Sequence, residues 1–254
     1  MSVMSPLPKF IFFTDFDGTI TQQDSNDYMT DTLGFGSERR LALGAEVLNE
    51  RLAFRDAFAE MLESVTRPYD QCIEYLLDHV QLDPYFKEFF SWCRENNVPI
   101  VVLSGGMKPI IKALFRKFLG EEEVEWLTIV SNDVAAREGK TINEEGGWRI
   151  TFLDDTTRSP HGHDKSVEIR KYSSLPEDQR PTMFYAGDGV SDLSAAKETD
   201  LLFAKAGKDL VTYCERQKVP FVTFKDFSSI LATVKAIVAG ETTTAAEAKG
   251  RLEN

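Results

Sequence analysis

The chain has 254 residues, 42% of them hydrophobic and 28% charged, enough to bury a full core as one domain with a sizeable insertion, or as two. A formal charge of −12 argues against broad binding to nucleic acid or an anionic membrane, which requires a basic surface, so an anionic substrate must meet a local positive site. Three cysteines in no metal or redox spacing, no apolar run near the ~18 residues of a membrane span, and Pro6, Pro8 and Asp15 too soon after Met1 for a secretory signal together predict a cytosolic protein.

Strands are predicted at residues 10–14, 99–103, 127–130, 182–186, 201–203 and 221–223, separated by amphipathic helical stretches. That alternation implies an α/β fold with a doubly wound parallel sheet covered by helices. The first strand, Phe10-Ile11-Phe12-Phe13, is a nearly continuous apolar run of the kind a strand buried on both faces carries, and Asp15, Asp17, Gly18 and Thr19 follow it at once. Ligands of open α/β sheets collect beyond the carboxyl ends of such strands. Two carboxylates one residue apart repel each other and call for a bound cation or a shared proton. An Asp-Gly turn leading into a helix cap is the plainer reading of the same residues.

Between Thr19 and Pro84 the pattern changes. Leu41, Val47, Leu48, Leu52, Phe54, Phe58, Met61, Leu62 and Val65 recur at helical spacing with no strand among them, which predicts a helical insertion over residues 21–83, after the first strand. The stretch from Val101 to Gly106 then sets Ser104, Gly105 and Gly106 past a second apolar strand, with Pro109 suited to the first turn of the next helix; it reads as a phosphate-binding turn or as an ordinary strand-to-helix turn. Residues 133–152 carry turn glycines and the β-prone Trp148, Ile150 and Phe152, and predict a small β-hairpin. Lys165 falls near the amino end of an amphipathic helix, where a cation is unfavourable unless an anion sits beside it or water solvates it. Its neighbours His161 and His163 are read as loop residues, since three histidines in the whole chain make a His-rich metal site improbable. Gly187-Asp188-Gly189 with Asp192 repeats the form of the first motif and reads as a turn or an ion-binding loop. The tail, 241–254, lacks large apolar side chains and is predicted to fray; residues 1–20 and 84–240 make up the core.

Asp15-Phe16-Asp17-Gly18-Thr19, Ser104, Lys165 and Gly187-Asp188-Gly189-x-x-Asp192 together resemble, in order, the four motifs of the haloacid dehalogenase-like phosphohydrolases. The nearest branch is similar to phosphoserine phosphatase and includes methionine-salvage and phosphocholine/phosphoethanolamine phosphatases. Its members carry a helical cap between the first and second motifs and a hairpin between the second and third. The resemblance implies a Rossmann-like core and a Mg2+ ion held by Asp15, the Asp17 backbone carbonyl and Asp188, with Asp192 in support. It further implies Asp15 as nucleophile, Asp17 as acid and base, and Ser104, Gly105 and Lys165 as phosphate-binding residues. An Asp two residues past the nucleophile separates, by the same resemblance, phosphatases from phosphoaspartate ATPases.

Substrate choice is expected to lie with the cap. In phosphoserine phosphatases an acid shortly after the first motif holds the substrate amine and a cap Arg holds its carboxylate. Here Asp24 occupies the acid's position and Phe54 that of a cap aromatic, while Met61 stands where the Arg belongs, and a thioether cannot pair a carboxylate. The expected substrate is therefore a small phosphorylated metabolite of polyol, amino-alcohol or methionine-salvage type, handled by a monomer or homodimer without nucleic-acid or membrane partners. Asp24 reads equally as a helix cap and Phe54 as core, and Arg51 and Arg55 are rival anion contacts. A phosphotransferase or mutase with the same nucleophile, and a non-catalytic phospho-acceptor switch, are the alternative functions.

Overall fold

A computed structural model describes residues 3–154 and 163–249. β1 (Phe10–Thr14) is buried on both faces and forms the middle of the sheet, because Ile11 and Phe13 point one way and Phe12 the other, each into an apolar layer. Around it stand β2 (Ile100–Met107), β3 (Leu127–Ala136), β4 (Trp148–Thr151), β5 (Thr182–Gly187), β6 (Leu201–Lys205) and β7 (Val222–Phe224), in the order β4-β3-β2-β1-β5-β6-β7. All pairings are parallel except that of β3 with β4. The chain winds outward from β1 through β2 and β3, then returns to lay β5 on the other side of β1. The crevice at that reversal is where open α/β sheets bind ligands.

α1 (Ser25–Leu33), α2 (Ser37–Leu48), α3 (Phe54–Glu63), α4 (Tyr69–His79) and α5 (Phe86–Glu95) separate β1 from β2. α6 (Lys108–Phe118) and the single-turn α7 (Glu121–Val124) follow β2, and α8 (Ser166–Ser173) precedes β5. A 3-10 turn (Val190–Asp192), α9 (Leu193–Ala196) and α10 (Asp209–Gln217) flank β6, while α11 (Phe227–Val238) and α12 (Thr244–Lys249) follow β7. One apolar layer is largely aromatic: Phe12 meets Phe89 edge-on at 4.6 Å, and Phe227 meets Phe86 and Phe89 at 5.0 and 5.1 Å. Rings so arranged add about 0.5–1.5 kcal/mol per pair beyond the area they bury. The two segments that join α1–α4 to the sheet run side by side. Thr21 bridges Leu82, the Gln22 amide donates to the Gln81 carbonyl (2.9 Å) and the Asp83 amide to the Ile20 carbonyl (2.7 Å), which fixes the chain just past the first motif.

Two predicted elements take a different form. The hairpin at 133–152 is the outer half of β3 paired with β4, Asp133 opposite Thr151, so it prolongs the main sheet rather than standing apart. Residues 244–249, expected to fray, form α12, which packs on β6 and buries Ala248 in the core; a sheet face can be covered by small side chains, which composition does not reveal. Residues 250–254 of that stretch lie outside the described residues, as does His161. Among the described residues no helix is long and apolar enough to cross a membrane.

Candidate active site

The site is built from strand ends. The Asp15 amide continues the parallel ladder by donating to the Ala186 carbonyl (2.8 Å), so the acid leaves β1 in line with β5. Lys165, at the entry to α8, is 1% exposed, and its ammonium donates to Asp15 Oδ1 and to Asp192 Oδ1, both at 2.6 Å. Lys165 thus bonds an acid 150 positions earlier in the chain and shares its ammonium with a second acid downstream. Asp192 is fully engaged: Oδ1 also accepts from the Tyr185 hydroxyl (2.5 Å), and Oδ2 accepts from the amides of Asp188 (2.9 Å) and Gly189 (3.0 Å). Its carboxylate ties β5, the Asp188 loop and α8 into one rigid piece. Gly187 permits this, since a Cβ there would come within 2.5 Å of the Asp192 carboxylate.

Asp188 completes the cluster. One carboxylate oxygen from each of Asp15, Asp188 and Asp192 lies within 4.8 Å of the others. Gly18 sits at φ +75°, and a Cβ on it would stand 2.4 Å from Asp188 Oδ2, so only glycine lets the first motif turn and receive that carboxylate. Burial raises the Asp15 carboxyl well above the usual carboxylate range; Lys165 opposes this, and the charges of Asp192 and Asp188 reinforce it. Asp188 is pushed up to about 6 by burial and then by Asp192, with Lys208 opposing from 3.8 Å. Burial disfavours the Lys165 ammonium, but Asp15 and Asp192 more than offset it and hold the proton above its ordinary value. Three carboxylates against one buried ammonium leave a surplus of negative charge. A hard divalent cation of magnesium's oxygen preference fits that donor set.

On the other side of the first motif, the Asp17 carboxyl is held from α1. Oδ1 accepts from the Ser25 amide (2.8 Å) and Oδ2 from the Asn26 side-chain amide (2.9 Å). Burial, and then the charge of Asp24, push Asp17 up to about 8, although the bonds from Ser25 and Asn26 pull the other way. β2 bulges here: Ser104 pairs with Ser131, but the next paired residue is Met107, opposite Asn132, so Gly105 and Gly106 are thrown out of the ladder. Asn132 secures the bulge, its side-chain amide donating to the Gly105 carbonyl (2.7 Å). The Ser104 hydroxyl accepts from the Gly106 amide (2.9 Å). A Cβ on Gly106 would lie 2.8 Å from Asp17 Oδ2, 3.2 Å from Ser104 Oγ and 3.3 Å from Asn26 Nδ2, so the acid, the hydroxyl and the amide converge on a bare backbone.

The fold therefore brings together Asp15, Asp17, Ser104, Gly105, Lys165, Asp188 and Asp192. The candidates from the helical insertion stand differently. Asp24 is half-buried and caps α1, Oδ1 accepting from the amides of Asn26 (2.8 Å) and Asp27 (2.9 Å). Phe54 opens α3, 36% exposed and stacked on Phe58. Arg51 is exposed in the turn between α2 and α3, and among the described residues no hydrogen bond or ion pair joins it to the acids of the site. Arg55 donates to the Asp154 carbonyl (2.9 Å) and lies over the Phe152 ring. Met61 packs against the aromatic layer. His163 is buried, with its ring held neutral down to about 4 by burial and the nearby Lys165 charge. Sequence reasoning missed Tyr185, Asn26, Asn132 and Lys208: the first reads as an ordinary strand residue, and the others carry no motif of their own.

Set beside known proteins, the chain matches the model of the haloacid dehalogenase-like hydrolases over residues 12–197. It is 52% identical over 243 residues to polyol phosphate phosphatase PYP1 of Saccharomyces cerevisiae, covering 93% of this chain and 97% of that protein. Pdp3-interacting factor 1 of Schizosaccharomyces pombe is 50% identical over 227 residues, 89% of this chain and 95% of its own length. A 2-hydroxy-3-keto-5-methylthiopentenyl-1-phosphate phosphatase of Bacillus cereus is 28% identical over 227 residues, 89% of this chain and 96% of its own. Among solved structures, a phospho-aspartyl intermediate analogue of phosphoserine phosphatase shares the fold, with a TM-score of 0.63 at 16% identity over 89% of this chain and 99% of that one.

Proposed function

Because the chain belongs to the haloacid dehalogenase-like hydrolases, we propose that it cleaves the phosphate monoester of a small metabolite through an aspartyl-phosphate formed on Asp15. It is a hydrolase of the phosphomonoesterase kind. The observation that carries the reading is the Lys165 ammonium held at 2.6 Å from both Asp15 and Asp192, with Asp188 alongside, an arrangement that would let a nucleophile, a phosphate-binding cation and metal-ligating oxygens meet one phosphoryl group.

A phosphate dianion approaching a carboxylate is repelled by about 4 kcal/mol per unit-charge pair at 4 Å and an effective dielectric of 20. Lys165 offsets part of that, and the Ser104 hydroxyl and the amides after it would hold a phosphoryl oxygen. A magnesium ion held by Asp15, the Asp17 carbonyl and Asp188, with Asp192 bracing the loop, would neutralise the remaining charge when bound. An Asp15 oxygen attacks phosphorus, the bond from phosphorus to the ester oxygen breaks, and Asp17 gives its proton to the departing alcohol. Asp17, now a carboxylate, takes a proton from the water that attacks the aspartyl-phosphate, and inorganic phosphate leaves. Burial of Asp17 supports this double role, because it keeps a carboxyl protonated near neutral pH.

Residues 1–20 and 84–240 would form the catalytic core, 21–83 a lid over the leaving group and 241–254 an appendage without a role in the reaction. The polyol class is favoured: the 52% identical yeast protein bears that name, and Asp24 Oδ2, which has no hydrogen-bond partner among the described residues, suits a hydroxyl better than Met61 suits a carboxylate. Three buried cysteines, all free, accord with a reducing cytosol. The test is phosphate release from a panel of phosphorylated polyols, amino alcohols, sugars and phosphoserine, with magnesium. Polyol phosphates are expected to turn over fastest, and Asp15→Asn to abolish release from all of them. Full turnover by that variant overturns the reading.

A further inference from the structure

Both oxygens of the Asp17 carboxyl accept from consecutive residues of one helix, one from a backbone amide and one from a side-chain amide. Ser25 presents a backbone amide, which can only donate, so Asp17 Oδ1 is always an acceptor. The Asn26 side-chain amide is likewise a pure donor here, so hydrogen bonding leaves either oxygen a lone pair for a transferable proton, and what singles out Oδ2 is its place in the site. That oxygen faces the Asn26 side-chain amide at 2.9 Å, and the three groups nearest a Cβ built on Gly106 are Asp17 Oδ2, the Ser104 hydroxyl and Asn26 Nδ2. Oδ2 is therefore the Asp17 oxygen beside the hydroxyl that would bind the phosphoryl group.

Asn26 is costly where it stands. It is 4% exposed, and its own side-chain carbonyl is buried without a hydrogen-bond partner among the described residues. An unsatisfied buried carbonyl costs about 1–3 kcal/mol, and an apolar residue of the same size would avoid that cost. The cap of α1 does not need the side chain, because Asp24 takes the Asn26 backbone amide. What the side chain does supply is a donor on the oxygen that gives up the proton.

We propose that Asn26 is a positioning residue for leaving-group protonation: with Ser25 it clamps the Asp17 carboxyl so that Oδ2 alone delivers the proton. This rests on the reading of Asp17 as general acid. As the bond from phosphorus to the ester oxygen breaks, the Oδ2 proton passes to the departing oxygen and negative charge appears on Asp17. The Asn26 N–H bond to Oδ2 then becomes charge-assisted and strengthens in the transition state.

The test compares kcat/KM for an alkyl ester, such as glycerol phosphate, with that for p-nitrophenyl phosphate, whose phenolate leaves without a proton. This ratio reports only steps up to loss of the leaving group, so the later water attack does not enter. Asn26→Ala is expected to lower the alkyl value about 100-fold while changing the aryl value less than about threefold, within the range that general acid catalysis contributes. Asn26→Leu, which keeps the branched shape and removes the donor, is expected to do the same, and circular dichroism with the melting temperature checks that each variant is folded. Equal losses on both esters, or none on either, overturn the proposal. Asp17→Asn run in parallel separates the two levels. If it discriminates between the esters and the Asn26 variants do not, only Asn26 is misassigned; if it too fails to discriminate, the acid itself is misassigned and the proposal falls with it.

Discussion

The acids at the sheet edge and the polar residues of the helical insertion line one region of the chain's chemistry but are held in opposite ways. Asp15, Lys165 and Asp192 are buried, and Asp192 has two partners on each oxygen. Asp24, Arg51 and Phe54 sit at helix ends, half-buried or exposed, and Asp24 is already employed as a cap. A strand buried on both faces fixes the residues just past its end to within a hydrogen bond, whereas a helix end leaves its side chains free to meet different ligands. The reaction should therefore be intolerant of change and the choice of substrate tolerant of it. Asp17 belongs to both regions: it leaves β1 with the sheet, yet its carboxyl is held by α1.

That contrast can be challenged in order of expected effect. Removing divalent cations with a chelator should abolish phosphate release and magnesium should restore it, while melting temperature should rise with magnesium because the three clustered carboxylates repel when bare. Turnover that survives chelation would undo the sheet-edge half of the contrast. Lys165→Met should also end turnover and cost about 3–5 kcal/mol in urea titrations, since it leaves two buried carboxylates without their shared cation. Gly106→Ala should lower kcat about 100-fold with a much smaller loss of stability, because the added methyl presses on Asp17 Oδ2 rather than on the core.

Smaller effects refine the picture. The buried His163 ring stays neutral to about 4, whereas in the unfolded chain it takes up its proton near 6.5. The contribution of His163 to stability should be complete above pH 6.5 and fall toward pH 4 as the unfolded state binds the proton first, by about 3 kcal/mol at most. Urea midpoints of His163→Asn should lack that share of the acid sensitivity. Asp24→Ala should cost about 1 kcal/mol through the lost cap. If the insertion chooses the substrate, the same variant should raise KM for a polyol phosphate and leave that for an aryl phosphate unchanged. Equal losses on both would assign Asp24 to the helix alone.

Much of the fold was legible because burial leaves a mark on residue type. The run Phe10 to Phe13 is what a central strand needs, and the glycines at 18, 106 and 187 mark where a carboxylate or an amide must come close to bare backbone. The helical insertion was legible from spacing alone. Other features were not. α12 rests on small side chains, and the hairpin is joined to β3 by a register that no local pattern encodes. Tyr185 reads as one more apolar strand position until its hydroxyl is found on Asp192.

From the sequence alone came the succession of acids, hydroxyl and lysine along the chain, each placed past a strand by local alternation of apolar and polar residues. Only packing in three dimensions put Lys165 between Asp15 and Asp192, and gave Asn26 and Ser25 one oxygen each of Asp17. The reason is physical. Periodicity and turn chemistry act over a few residues and are written in each segment, but a hydrogen bond across 150 positions is set by how separate strands and helices pack, and no stretch of chain contains that information by itself.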